Sequence, residues 1–165
     1  MQKAIVEQSI LALGERGTVI RLPKVVSSKV PLFAHWLSSL SRGQVIKPFS
    51  DLSLSPISLS FLTKALAQQH LTGIVHLSGA KQVTYEEFAL LLAKALGVPT
   101  SLVEPTTAKE LNVPLLFAPR YTTLDTSDTT AIFGIEPQTI WDVVSDLVLE
   151  YSESLANTQS LPSAT

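Results

Sequence analysis

An α/β fold is predicted by three observations: short apolar, β-branched runs, amphipathic helical stripes between them, and turn residues that separate the two. Val19-Ile20, Val45-Ile46 and Ile74-Val75-His76-Leu77 are the runs, too short for helices and flanked by Gly or Pro, as buried strands are. Stripes such as Leu32, Phe33, Trp36, Leu37 and Leu40 recur at helical spacing. Alternation of the two kinds of segment is the pattern of α/β domains.

The chain opens with a predicted helix over 3–16, with Val6, Ile10 and Leu13 as its apolar stripe and Gly14 and Gly17 at its end. No capping residue and no strand precede it, so the helix reads as cut rather than designed. Residues 18–22 form a strand that Pro23 ends, leaving 23–26 as a loop at the carboxyl end, where open α/β sheets place their ligands. Arg21 on this strand is either a buried charge paired with a carboxylate or a solvated edge residue. Pro31 opens a helix to about residue 42, and Trp36 is expected in its core-facing stripe. A short strand over 45–49 follows, and then a polar loop from Asp51 to Pro56. Such loops carry function more often than the elements around them, although Asp51 equally suits a turn that bonds its own backbone.

Ser58 or a neighbour caps a helix carrying Leu59, Leu62 and Leu66, which ends before Gly73. After the strand over 74–77, Thr84 and Glu87 form a capping box ahead of a stripe of Tyr85, Phe88, Leu92 and Leu96. A further strand is read at 100–104, and a proline-spaced loop at 105–125 contains Arg120, whose guanidinium matches phosphate oxygens. Asp125 or Thr126 caps a short helix to Phe133, and Pro137 begins the last one, with Ile140, Val143, Leu147 and Tyr151 on one face. Beyond Tyr151 the chain becomes small and polar, so 1–151 is read as the folded part and 152–165 as a disordered tail.

Composition removes several classes of function. The 165 residues suffice for one domain with a sizeable core. The 16% charged share is low against the roughly 25% of average domains, which leaves apolar surface in want of a partner. There is no cysteine, so disulfides, thiolate metal sites and cysteine nucleophiles are excluded. His35, His70 and His76 lack the paired spacing of metal ligands and read as surface or helix-face residues. A net charge of −2 with scattered Lys and Arg gives no nucleic-acid footprint. No run approaches the ~20 apolar residues of a membrane span and no leader is visible, so the expected compartment is the cytoplasm.

Three motifs in series resemble one family: Arg21-Leu-Pro23-Lys24-Val25 after a strand, Pro31-Leu-Phe-x-x-Trp36-Leu on the next helix, and Phe49-Ser-Asp51-x-x-x-x-Pro56-Ile-Ser58 before another. They look like the C-terminal half of dTDP-4-dehydrorhamnose reductase, an extended short-chain dehydrogenase/reductase, over residues 2 to about 151. The resemblance implies part of a Rossmann-type sheet joined to a small α/β substrate-binding part. It also implies a nucleotide-linked sugar as substrate and NADP or NAD as cofactor in the intact fold. Lys3 falls in the place of the lysine of the family's YxxxK motif, which assists the tyrosine proton donor and binds the cofactor ribose; counting back four residues passes Met1, so the tyrosine is not in this sequence. A solvated first-turn lysine is the competing reading. Pro23 would pass the nicotinamide, Lys24, Val25, Asp51, Ser55 and Pro56 would approach the sugar nucleotide, and Arg120 would reach its diphosphate.

None of the seven glycines forms the strand–turn–helix cluster that cradles a pyrophosphate. The chain alone is therefore expected to be inactive and to need an N-terminal nucleotide-binding half, or self-association, to cover its sheet edge. Two alternatives stay open: a non-catalytic regulatory module of the same family that binds a protein, and a piece of a related epimerase or dehydratase.

Overall fold

A computed structural model describes residues 2–67, 71–113 and 119–159. His70 and residues 160–165 of the expected tail lie outside these. Among the described residues the fold is mixed α/β, with six short strands arranged as three pairs: β1 (Thr18–Arg21) with β5 (Gly73–His76), β2 (Lys24–Val26) with β4 (Pro56–Ser58), and β3 (Ser53–Leu54) with β6 (Val83–Thr84). The first two pairs are parallel and the third is antiparallel. Six helices complete it: α1 (Gln2–Leu11), α2 (Pro31–Ser41), α3 (Leu59–Ala67), α4 (Tyr85–Ala95), α5 (Ser127–Phe133) and α6 (Ile140–Gln159).

The larger core lies where α2, α4 and α6 converge. Phe33, Trp36, Leu37 and Leu40 of α2 meet Phe88 and Leu92 of α4 and Val143, Val144 and Leu147 of α6. Phe33 packs against Phe88 with ring centroids 5.4 Å apart, and Trp36 stands edge-on to both Phe33 and Tyr85. Trp36 is thus a core residue, as its place in the stripe suggested. The expected capping box is present: the Glu87 amide donates to Thr84 Oγ1 and the Thr84 amide to Glu87 Oε2. A smaller core of Ile57, Ala65, Val75, Leu77 and Ile135 joins β4 and β5 to α3 and α5.

Several expected boundaries move, each for a reason outside the local window. Residues 24–26, read as loop, form β2, because Pro56–Ser58 supplies a parallel partner. Pro56 is tolerated there as the first residue of its strand. The strand expected over 45–49 is reduced to isolated bridges from Ile46 to Val103 and from Phe49 to Thr106, since Pro48 has no amide to donate. Residues 100–102 are a 3-10 turn rather than a strand. The first helix stops at Leu11 and a separate 3-10 turn covers Gly14–Arg16.

At the other end, α6 begins at Ile140 rather than Pro137, where Thr139 Oγ1 accepts from the Asp142 amide. It continues to Gln159, so residues 152–159 are helical instead of disordered. That stretch contains no Gly or Pro, and the Ser152 hydroxyl returns to the Val148 carbonyl, so nothing local stops the helix.

Arg21 is paired, with Glu7 of α1 at 2.6 Å, but the pair is exposed rather than buried. Hydrogen bonding to Arg21 holds the Glu7 carboxyl below its ordinary range. Among the described residues, no helix is long and apolar enough to cross a membrane, and no group of His, Asp and Glu is placed to hold a metal ion.

Candidate functional site

A cleft of about 300 Å³ opens where β1 gives way to β2. Pro23 ends β1 because it cannot donate to the ladder, and this turns Lys24 into one wall. Ser53 and Leu54 of β3 and the buried Ser55 form the floor. Antiparallel pairing of β3 with β6 then delivers Tyr85, the first residue of α4, to the opposite wall. Pro119, Tyr121 and Thr122 close the rim from the loop ahead of α5. That loop is tethered: the Thr122 amide donates to Gln82 Oε1 at 3.1 Å, and the Leu124 amide to Ser78 Oγ at 3.2 Å.

The cleft offers two aromatic faces and two kinds of donor. Tyr85 is half-buried, which pushes its hydroxyl's pKa up and keeps it a proton donor across the neutral range. Its hydroxyl has no hydrogen-bond partner among the described residues. Tyr121 is 73% exposed, and the Arg120 guanidinium sits 5.4 Å from its ring centroid, within cation–π range. Lys24 adds an exposed ammonium. Rings of this kind suit a flat heterocycle, and two cations near one rim suit phosphate oxygens.

The sequence-derived candidates separate into two groups. Pro23, Lys24 and Ser55 line this cleft, and Arg120 stands between two of its lining residues. Ser55 has a structural role as well, because its fully buried hydroxyl is within hydrogen-bond range of Ser78 Oγ and the carbonyls of Gly79 and Lys81. Val25 turns to the smaller core, and Pro56 is buried within β4. Both oxygens of Asp51 accept the Ala108 amide at 3.0 Å, which fastens the 105–113 loop. Lys3 is exposed on the first turn of α1, where its charge helps to hold Glu7 ionised. Tyr85 and Tyr121 escaped sequence reasoning. Tyr85 is indistinguishable from a stripe residue by spacing, and Tyr121 lies in a loop without periodicity.

Comparison with known proteins now adds to this geometry. The profile of the RmlD substrate binding domain matches residues 1–153. The chain belongs to this family. Among solved structures, dTDP-4-dehydrorhamnose reductase from Bacillus anthracis str. Ames, in complex with NADP, is similar with a TM-score of 0.69 and 18% identity. That match covers 90% of this chain and 53% of the other. UDP-glucose 4-epimerase from Thermotoga maritima, with UDP-glucose, gives a TM-score of 0.68 at 17% identity, covering 93% and 52% of the two chains. A dTDP-glucose 4,6-dehydratase from Bacillus anthracis str. Ames, in complex with NAD, gives 0.66 at 11% identity, covering 91% and 49%. At these identities the likeness establishes the fold, that of the extended short-chain dehydrogenase/reductases. This RmlD substrate binding domain spans about half the length of those structures. No match is found among curated proteins.

Proposed function

We propose that this RmlD substrate binding domain is the sugar-nucleotide-binding half of a nicotinamide-dependent reductase acting on a nucleotide-linked 4-keto sugar. The family match over residues 1–153 carries this reading, and the cleft beside Pro23 gives it a location. The base lies against Tyr121 and Tyr85, the diphosphate meets Arg120 and Lys24, and the sugar reaches towards Pro23. The Tyr85 hydroxyl donates to a carbonyl on the base or sugar.

The NADP or NAD of the intact fold is a different matter for these residues. Among the described residues, no glycine-rich turn leads from a strand into a helix N-terminus; Gly14 and Gly17 follow α1, and Gly79 bridges to Gln138 with Pro56 and Ser55 as close neighbours. The residues present do not fit a dinucleotide cradle. Lys3 keeps its proposed role as a ribose and proton-relay lysine only beside a nucleotide-binding half. That half, or a second copy of the chain, covers α1 and the turn after it, where Ile5, Val6 and Leu13 are all more than half exposed. The compartment we propose is the cytoplasm.

Isothermal titration of the chain with dTDP tests the reading. Binding should weaken by about 5-fold, roughly 1 kcal/mol, in each of Tyr121→Ala and Arg120→Ala, while ketone reduction by the chain alone stays undetectable. An absence of binding at millimolar dTDP, or affinity indifferent to both substitutions, would remove the cleft as the site.

A further inference from the structure

A second groove, larger than the cleft at about 390 Å³, runs between the start of α3 and the outer face of α6. Val26 and Leu147, both almost wholly buried, form its floor. Leu59 and Leu149 stand on its rim at 39% and 58% exposure. Asp146, Glu150 and Glu153 line it along α6. Their i, i+4, i+7 spacing places them in one row about 10.5 Å long at 1.5 Å per residue.

Charge in this groove is uncompensated. Asp146 accepts only from neutral groups, the Ser58 hydroxyl at 2.5 Å and the Gln138 amide at 3.0 Å. Glu150 accepts from the Ser27 hydroxyl and the Ser28 amide, each at 2.8 Å. Glu153 has no partner among the described residues. The ion pair present among those residues is Arg21 with Glu7, on another face. A partner with cationic groups is therefore complementary to the row, and the apolar floor and rim give it something to bury.

The helix wall supports the same conclusion. α6 runs two turns beyond the core it packs on, and residues 152–157 are exposed throughout, with Leu155 at 47%. Exposed helix of that length gains little from its own propensity and is stabilised by what lies against it. Glu153 sits on this overhang, so the acidic row leads from the groove onto exposed helix.

We propose that this groove docks a short basic, leucine-bearing segment of a partner polypeptide. In an extended segment, side chains two residues apart share a face at about 6.5 Å spacing, close to the rise of about 6 Å from Asp146 to Glu150 along the helix. Leucine side chains on the segment's other face meet the apolar lining of Val26 and Leu59. A small polycation would satisfy the carboxylates but leave that apolar surface uncovered. The site lies apart from the nucleotide cleft and does not depend on its reading.

Fluorescence anisotropy of the full 165-residue chain with a fluorescein-labelled peptide of alternating leucine and arginine tests the proposal. Expected is saturable binding that weakens with salt, falls about 10-fold or more in Glu153→Lys and about 3-fold in Leu149→Ser, and is unchanged in Tyr121→Ala. Both substituted positions are exposed, and matching circular dichroism confirms that the variants fold. No binding overturns the proposal, as does binding indifferent to Glu153→Lys and Leu149→Ser. Equal binding by an arginine–glycine peptide, or full displacement by spermidine at matched charge, overturns it in favour of a polycation alone.

Discussion

The two cores of this domain are built to different depths. Around α2, α4 and α6, sixteen buried apolar residues interlock among the described residues, and two phenylalanines and a tryptophan fill the centre. Around β1, β5 and α3 there are five, none aromatic, with Ile20, Phe61 and Phe133 half-exposed at the margin. On the outer side of this second region, α1 buries no residue at all, and Ile74 of β5 is 44% exposed. The first region buries its large aromatic side chains within itself. The second leaves apolar side chains exposed on its outer side, and the cleft opens at its end where β1 breaks.

Truncating one large side chain in each core should break this comparison if it is wrong. Phe88 is fully buried and touches the Phe33 ring, so Phe88→Ala is expected to cost about 3–5 kcal/mol. Leu77 is equally buried, yet its surroundings are thinner and freer to collapse, so Leu77→Ala belongs near the lower end of the roughly 2–5 kcal/mol range for such changes. Urea titration of both variants gives the difference. Equal losses would show that the second core is as well supported as the first.

A smaller effect sharpens the junction between the two regions. Gly79 lies against β4, and a Cβ there would come 2.6 Å from the Pro56 carbonyl oxygen and 3.2 Å from Ser55 Oγ. Both are backbone or fully buried atoms with nowhere to move. Gly79→Ala should therefore cost about 1–3 kcal/mol, as overpacking does. Because Ser55 and Ser78 stand beside the cleft floor and its tethered loop, the same change should weaken dTDP binding. Thermal unfolding and titration of one variant read the two effects separately.

How much of this was legible in the sequence follows the reach of each signal. Periodicity alone placed Phe33, Trp36, Leu40, Phe88, Leu92 and Leu147 in the larger core, because helical stripes are local. The Thr84–Glu87 box was legible for the same reason. β2 was not, because its partner lies 32 residues on, and neither was the loss of the strand at 45–49. For the site, Pro23 and Lys24 were found through a strand-ending proline and a family likeness. The structural bond of Asp51 was not legible, because its partner, the Ala108 amide, is 57 residues away. Tyr121 carries no sequence pattern and needed the fold to bring its loop to the rim.

The weakest expected effect concerns the ion pair between α1 and β1, Glu7 with Arg21. The hydrogen bond to Arg21, with Coulombic help from Arg21, His76 and Lys3, holds the Glu7 pKa below its unfolded value. A carboxylate so depressed contributes stability above the unfolded value of about 4.3 and loses it as the pH falls through the lower folded value. Wild type should therefore exceed Glu7→Gln in stability at neutral pH, and the two should converge as the pH falls through the lowered folded value of Glu7. The pair is exposed, so the gap should be small and should shrink as salt is raised. Urea midpoints at neutral and acidic pH, each at low and high salt, measure it. A gap that persists at acidic pH would show that Glu7 acts through packing of its side chain rather than through its charge, and α1 would then be more firmly seated than its exposure implies.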